Sequence, residues 1–289
     1  MKILILGATG MAGHTISLYF IESGYKVTTL SRHPFPFGNN ITGDATDFTF
    51  LKKVIGTNSY DVIINCIGIL NKDAEENQYS AVLLNSLLPR AIVEWTKTTK
   101  TKLIHMSTDC VFAGNTGPYS ENSIPDGISI YDRSKALGEV NDFKNLTFRN
   151  SIIGPDMNPN GIGLFNWFMK QKKPILGYSE AIWTGVTTLT LAKAMKCAIN
   201  QNLTGLYNLV NNDSINKFDL LELFNKNFRD SSVDITKSNQ LKMDKTLINT
   251  RNDFTFVVPS YEKMIEEMKS WVVDHKDIYP EFNLYNNEE

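Results

Sequence analysis

Short apolar runs alternate with longer stretches of helical spacing over the first half of the chain. A short run of consecutive apolar residues is typical of a strand that is covered on both faces, as in a parallel sheet. The runs predict strands at residues 2–6, 25–30, 61–66, 102–106 and 146–150. Helices between these strands complete βαβ units, so we predict an α/β fold with a doubly wound parallel sheet of the Rossmann type.

The alternation loosens after residue 150, where helices and one further strand are predicted. The helices lie at residues 162–172, 189–199, 217–228 and 261–275, and the strand lies at residues 205–210. A chain of 289 residues can form a large domain with a smaller appendage. We therefore predict a Rossmann domain at residues 1–150 and a smaller lobe at residues 151–289, partly interleaved with the first.

Three glycines mark the turn between the first strand and the helix predicted at residues 11–23. Gly7, Gly10 and Gly13 stand in the sequence GATGMAG. Glycines let the backbone approach a pyrophosphate, and the start of a helix offers free N–H groups and a favourable dipole. A glycine pattern alone is weak, but between a strand and a helix it indicates a dinucleotide-binding site.

The end of the second strand indicates which dinucleotide binds there. An Asp or Glu would accept a hydrogen bond from the ribose 2′-hydroxyl of NAD, but the chain has Ser31 and Arg32. A hydroxyl and a guanidinium suit a 2′-phosphate, so NADPH is favoured and NADH is the alternative. In the competing interpretation Arg32 is only a solvated loop charge. Asp44, in the next loop, is expected near the adenine edge.

A second group of residues with chemical potential follows the strand at residues 102–106. Tyr131 and Lys135 are four residues apart, so they share one face of the helix predicted at residues 131–144. The ammonium is expected to lower the pKa of the phenol from about 10, and Thr108 to place its hydroxyl against the same phenol. Three such groups around one oxygen atom suit the reduction of a carbonyl by a nicotinamide.

Composition and charge exclude several other classes of protein. A formal net charge of −2 leaves no basic excess for binding nucleic acid. The three cysteines are widely spaced, which fits a reducing cytoplasm, and neither they nor the four histidines show metal-ligand spacing. No apolar segment approaches the roughly 20 residues that span a bilayer. We therefore expect a cytoplasmic protein with no metal site and no membrane partner.

The sequence resembles the extended short-chain dehydrogenases/reductases, and most closely the dTDP-4-dehydrorhamnose reductase-like branch of sugar-nucleotide enzymes. The shared motifs are GATGMAG at residues 7–13, GDATD at 43–47, STDCVF at 107–112, PYSE at 118–121, YDRSKALGE at 131–139 and GLYN at 205–208. The resemblance implies that Thr108, Tyr131 and Lys135 are the catalytic trio. It also implies a sugar-nucleotide substrate, and a homodimer is considered because many relatives form dimers.

The expected ligand contacts extend beyond the trio. Cofactor-binding residues are expected to be Gly7, Thr9, Gly10, Met11, Gly13, Ser31, Arg32, Asp44, Ala45, Cys66, Ile67, Gly68, Tyr131 and Lys135. Candidate substrate-binding residues are Thr108, Asp109, Cys110, Trp183, Thr187 and Arg251. Arg251 is included because a guanidinium pairs well with diphosphate oxygens, although a surface charge is an equally good interpretation.

Cys110 departs from the motif of the family. The related 4,6-dehydratases carry Asp-Glu after the Thr and use that pair to move protons, so the cysteine disfavours dehydration. The related reductases typically have a tyrosine at this position. The reaction that the resemblance implies is NADPH-dependent reduction of the C4 ketone of a 4-keto-6-deoxy sugar nucleotide, in deoxysugar or surface polysaccharide biosynthesis.

Three questions stay open at this stage. An NAD-dependent sugar-nucleotide epimerase would share the fold, although Ser31 and Arg32 count against it. A non-catalytic NADP-binding regulatory subunit is the second alternative, and the intact trio favours catalysis over it. Asn85, in the helix predicted at residues 76–98, is either a packing residue or a site residue.

Overall fold

The computed structural model describes residues 1–282. Its strands are β1 (Lys2–Leu6), β2 (Lys26–Ser31), β3 (Asn39–Thr42), β4 (Val62–Asn65), β5 (Lys102–Ser107), β6 (Leu146–Arg149), β7 (Ile152–Ile153), β8 (Ile175–Trp183), β9 (Val186–Thr187), β10 (Gly205–Asn208), β11 (Ile215–Asn216) and β12 (Ile235–Asp244). Its α-helices are α1 (Met11–Glu22), α2 (Phe48–Asn58), α3 (Asn71–Glu76), α4 (Gln78–Ala81), α5 (Leu88–Trp95), α6 (Ile130–Gly138), α7 (Leu164–Met169), α8 (Thr188–Asn200), α9 (Lys217–Phe228) and α10 (Tyr261–Asp274).

A seven-stranded sheet in the order β10-β6-β5-β4-β1-β2-β3 forms the centre of the fold. All of its neighbouring strands are parallel. The order 3-2-1-4-5-6, with β10 added beside β6, is that of the Rossmann fold. The predicted fold class is therefore confirmed.

Both faces of the sheet are covered, as the apolar runs indicate. In β1, Ile3 and Ile5 pack against the side of the sheet that α1 and α8 cover, while Leu4 and Leu6 face α2 and α5. All four side chains are fully buried. Because successive side chains of a strand point to opposite faces, a strand buried on both sides needs an apolar residue at every position.

The second half of the chain is interleaved with the first. β10 pairs in parallel with β6 and so becomes the last strand of the main sheet. A separate three-stranded sheet, in the order β11-β8-β12, lies against α9. A boundary at residue 150 therefore does not separate the main sheet from the rest, and the division into two domains stays a prediction.

Several predicted elements differ from the observed ones. β3 and β12 were not predicted, because both are edge strands with many exposed positions and no apolar run. The helix predicted at residues 76–98 is interrupted by a π-helical turn, Val82–Leu87. The helix predicted at residues 131–144 ends at Gly138. A Cβ atom at Gly138 would lie 1.9 Å from the Asn85 carbonyl oxygen, so only glycine allows this close helix packing.

A buried histidine ties the last described segment to the first helix. The His14 Nδ1 lies 3.0 Å from the Gly10 carbonyl oxygen, so this nitrogen carries the proton and donates. Nε2 then accepts from the Tyr279 hydroxyl at 2.7 Å, and the Trp271 indole donates to the same hydroxyl at 3.1 Å. Burial lowers the pKa of His14 to about 4.

This histidine should make the fold sensitive to mild acid. The unfolded chain binds the proton near pH 6.5 and the folded chain only near pH 4, so the stability that neutral His14 contributes is complete above pH 6.5 and falls towards pH 4. The cost between pH 7 and pH 5 is about 2 kcal/mol. In His14→Gln, urea unfolding should show a smaller pH dependence by about that amount. His33→Gln, at an exposed histidine, is the control, and equal pH dependence in His14→Gln and wild type would contradict the assignment.

Candidate active site

Two adjoining cavities lie at the carboxyl edge of the main sheet. The larger, about 930 Å³, runs from the end of β2 to the end of β4, and the smaller, about 440 Å³, lies beside the ends of β5 and β6. Gly10, Cys66, Ile67 and Gly68 line both cavities. The two cavities therefore form one path from the glycine turn to the predicted catalytic trio.

The glycine turn has the geometry of a dinucleotide cradle. Gly7 has a φ of +85° and donates to the Leu30 carbonyl oxygen at 2.8 Å, which folds the turn back over β2. A Cβ atom at Gly13 would lie 2.0 Å from the Gly7 oxygen, whereas one at Gly10 would meet no protein atom closer than 3.5 Å. No side chain of the described residues caps the start of α1. The backbone N–H groups at the start of α1 and the open space over Gly10 together fit a pyrophosphate.

The end of β2 forms the far wall of the larger cavity. Ser31 is buried and donates to the His33 carbonyl oxygen at 2.7 Å, while Arg32 is exposed and lines the cavity. Asp44 accepts from the Thr46 backbone at 2.9 Å, and this hydrogen bond, with help from Arg32, holds the pKa of Asp44 below its usual value. The guanidinium is thus a cation at the position where an NADP 2′-phosphate is expected.

Asn85 fixes the loop after β4, which is shared by the two cavities. Its amide accepts from the Ile69 N–H at 2.8 Å and donates to the Ile69 carbonyl at 2.9 Å. It also donates to the Ser134 hydroxyl on α6 at 3.0 Å. Asn85 is fully buried in the π-helical turn and does not line either cavity. Asn85 therefore holds the loop after β4 against α6, the helix that carries Tyr131 and Lys135.

Helix α6 carries the tyrosine and the lysine. Ser129 and Asp132 form a capping box that sets the start of the helix. Tyr131 and Lys135 both line the smaller cavity, as their spacing predicts. The Lys135 Nζ donates to the Met106 carbonyl oxygen on β5 at 2.6 Å. Burial lowers the pKa of Lys135 to about 8, although the Glu139 carboxylate partly opposes this effect.

Thr108 and Tyr131 meet at the smaller cavity. Thr108 is buried beside the end of β5, and its hydroxyl acts to lower the pKa of the Tyr131 phenol. Burial has the larger effect and raises the pKa of Tyr131. The pKa of the phenol is therefore raised and not lowered as expected, and the Lys135 ammonium donates to the Met106 carbonyl oxygen. A protonated phenol at neutral pH is the form that donates a proton.

Asp109 and Cys110 continue the wall of the smaller cavity. The Asp109 carboxylate accepts from the Thr108 hydroxyl at 3.1 Å, and burial raises its pKa. Lys217 and Lys245 oppose that rise. Burial and the neighbouring Asp109 raise the pKa of the Cys110 thiol to about 12, so the thiol is protonated at neutral pH.

Three candidate substrate residues do not line either cavity. Trp183 is buried and packs against Tyr261, with ring centroids 5.8 Å apart. Thr187 is fully buried and caps α8. Arg251 donates to backbone carbonyls beside β10 and pairs with Asp253. Thr187 and Arg251 already use their polar atoms within the protein, so we leave both out of the proposed site.

Other cavity residues were not predicted from the sequence. Asn150, Ser151 and Ile152 follow β6 and line the smaller cavity, together with Asp156, Ile162 and Gly163. Asp73, Asn77 and Ser80 line the larger cavity from the side of α3 and α4. The residues after β6 could have been predicted, because ligands bind at the carboxyl ends of strands in open α/β sheets. Nothing in the sequence pattern marks the others.

The fold and the trio together define an extended short-chain dehydrogenase/reductase, a class of nicotinamide-dependent oxidoreductases. Within that class the chain belongs to the RmlD family, because the family model described as "RmlD substrate binding domain" matches residues 1–246. The family resemblance inferred from the motifs is therefore confirmed.

Two curated relatives are about 30% identical to this chain. A dTDP-4-dehydrorhamnose reductase of Salmonella typhimurium is 28% identical over 222 residues, covering 73% of this chain and 72% of the relative. The methionine adenosyltransferase 2 subunit beta of Xenopus tropicalis is 30% identical, covering 48% and 41%. The chain spans less than half the length of the first curated relatives that it matches.

A solved structure shows the same fold. The dTDP-4-dehydrorhamnose reductase of Bacillus anthracis, in complex with NADP, aligns with a TM-score of 0.78 at 21% identity. The alignment covers 92% of this chain and 98% of that one.

Within residues 1–282 no group of three potential metal-ligating side chains occurs, and no helix in that range is long and apolar enough to cross a membrane.

The two glycines at 10 and 13 should separate folding from dinucleotide binding. Gly13→Ala puts a methyl group against the Gly7 oxygen and should destabilise the fold by about 1–3 kcal/mol. Gly10→Ala has room within the protein but occupies the cradle, so it should unfold like wild type and bind NADPH at least about tenfold more weakly. Thermal unfolding and NADPH fluorescence titration measure the two effects. Equal NADPH affinity in Gly10→Ala and wild type would contradict this placement of the pyrophosphate.

Proposed function

We propose that this protein reduces the C4 ketone of a 4-keto-6-deoxy sugar nucleotide with NADPH, in deoxysugar or surface polysaccharide biosynthesis. The observation that supports this most is the meeting of Thr108, Tyr131 and Lys135 in a cavity that continues into the dinucleotide cradle. A carbonyl oxygen between the hydroxyl and the phenol would lie within reach of a proton donor. The bound nicotinamide supplies the hydride.

Each member of the trio has a separate role in this proposal. Tyr131 keeps its proton at neutral pH and donates it to the oxygen as negative charge develops there. In the complex the Thr108 hydroxyl would turn its proton from the Asp109 carboxylate to the carbonyl oxygen and so orient the carbonyl. Lys135 provides a positive charge on the same helix face, and burial lets it lose this charge near pH 8.

The cofactor preference rests on Arg32. Its side chain is exposed at the end of β2 and lines the larger cavity, where a 2′-phosphate would follow the ribose. No carboxylate occupies the end of β2 to select the 2′-hydroxyl of NAD. We therefore favour NADPH, with NADH as a weaker substitute, and this also counts against an epimerase that retains NAD.

Tyr131→Phe tests the chemistry directly. Removing the phenolic proton should lower the turnover number by about 10²–10⁴ while leaving the dissociation constant of NADPH nearly unchanged. Oxidation of NADPH, followed by its absorbance, should be measured against a panel of 4-keto sugar nucleotides that includes the dTDP-linked rhamnose precursor, with NADH for comparison. Near-normal turnover in Tyr131→Phe would refute the roles given above.

A regulatory subunit is the second candidate, because the methionine adenosyltransferase 2 subunit beta matches about half of this chain. Tight NADPH binding with no oxidation across the whole panel would favour it. Recovery of one stoichiometric enzyme partner from cell extract would then identify the subunit's function. The complete trio supports the reductase instead.

The assembly and location of the protein are also proposals. Four large apolar side chains are exposed on the packed α4, π-helical turn and α6, namely Tyr79, Val82, Leu87 and Leu137. Exposed apolar side chains on adjoining elements suit contact with a second copy of the chain, so we propose a homodimer, which light scattering would reveal. The three unpaired cysteines are consistent with a cytoplasmic location.

A further inference from the structure

One buried carboxylate joins three elements that carry the active site. Glu139 follows the end of α6, and its side chain is only 9% exposed. Its Oε1 accepts from the Ser107 hydroxyl at 2.7 Å, at the end of β5. The same carboxylate binds Arg149, at the end of β6, through two nitrogen atoms at 2.8 and 2.6 Å. The ends of β5, β6 and α6 therefore converge on Glu139.

Arg149 is a buried cation with contacts on several sides. Its side chain is 1% exposed, and it pairs with Glu139 in a bidentate geometry. The guanidinium also lies 4.9 Å from the centre of the Phe112 ring. A buried ion pair costs desolvation energy and is weak evidence for stability by itself. The pair lies at the end of α6, the helix that carries Tyr131 and Lys135.

Lys135 lies one helical turn before Glu139. The titratable groups that interact with Lys135 are Cys66 after β4, His105 on β5 and Glu139 after α6. Tyr131 lies one turn earlier on the same helix face, and Arg149 on β6 pairs with Glu139. Burial keeps the Cys66 thiol and the Tyr131 phenol protonated and His105 neutral at pH 7. Glu139 is therefore the carboxylate among these groups that favours the ammonium form of Lys135.

We propose that Glu139 is a positioning residue that keeps Lys135 charged and holds the side chain of Ser107, the residue next to Thr108. This inference rests on the roles proposed above for Lys135 and Thr108. Arg149 is the buried counter-ion of this carboxylate. The pair thus has an electrostatic effect on the catalytic helix as well as a structural one.

The charge on Lys135 can be followed without turnover. Protein labelled with [6-¹³C]lysine reports the titration of each ammonium by NMR, and the Lys135 signal is the one that Lys135→Met lacks. Wild type should titrate near pH 8 at this residue. Glu139→Gln keeps the size of the side chain and an acceptor for Ser107, but removes the charge, so the midpoint for Lys135 should fall by about one pH unit.

A second variant separates this effect from a failure to fold. Glu139→Gln leaves Arg149 buried without a counter-ion, whereas Glu139→Gln with Arg149→Met removes both buried charges. The double variant should fold and still show a lowered Lys135 midpoint, by less than the single variant. Glu267→Gln breaks the distant Lys193 pair and should leave that midpoint unchanged. An unchanged Lys135 midpoint in the folded double variant would overturn the proposal.

Turnover gives an independent readout that a merely structural role would not shift. If the panel yields a substrate, the alkaline limit of the turnover number should move to lower pH in the double variant by the same amount as the NMR midpoint. A purely structural role predicts lower turnover at every pH with no change in this limit. A shifted NMR midpoint with no substrate in the panel would refute the proposed reaction and leave the inference about Glu139 intact.

Discussion

Every part of the candidate site depends on the parallel arrangement of the main sheet. Because all the strands run in one direction, their last residues lie along the same edge. Those last residues are buried polar side chains in β2, β4, β5 and β6, namely Ser31, Asn65, Ser107 and Arg149. The apolar middle of each strand packs between two layers of helices. The polar residue at the end of the strand lies next to the loops where ligands bind in such sheets.

These polar ends act mainly on loops and helices. Asn65 accepts from the Ile67 N–H at 3.1 Å and so shapes the loop that both cavities share. Ser107 and Arg149 both bind Glu139, which fixes the end of α6 against the sheet. Each of these groups would be costly to bury without a partner, since an unmet hydrogen bond or charge loses its solvation. Their hydrogen-bond partners are the loop after β4 and the end of α6. Because breaking these bonds would be costly, the bonds hold both segments in fixed positions at the site.

The sequence predicted most of what depends on local patterns. The parallel strands follow from apolar runs, the dinucleotide turn from Gly7 and Gly13, and the α6 pair from a spacing of four residues. Long-range contacts were not predictable in this way. The π-helical turn at Asn85 and the pairing of Glu139 with Arg149 join residues that are distant in the chain or lack any periodic signal. The surroundings of Thr187 and Arg251 were equally unpredictable, because their chemistry suits a ligand but in the fold their polar atoms bond other parts of the protein.

The protonation states of the site are those of a proton donor. Burial keeps the proton on Tyr131, and the Thr108 hydroxyl can only partly offset this effect. An oxidation would need the phenolate as the base, whereas a reduction needs the phenol as the acid. In the proposed reaction, the Lys135 charge would stabilise the phenolate that forms as the proton leaves. A site in which the acid is protonated at rest and the nearby cation is maintained by a buried carboxylate is suited to give a proton to a carbonyl oxygen.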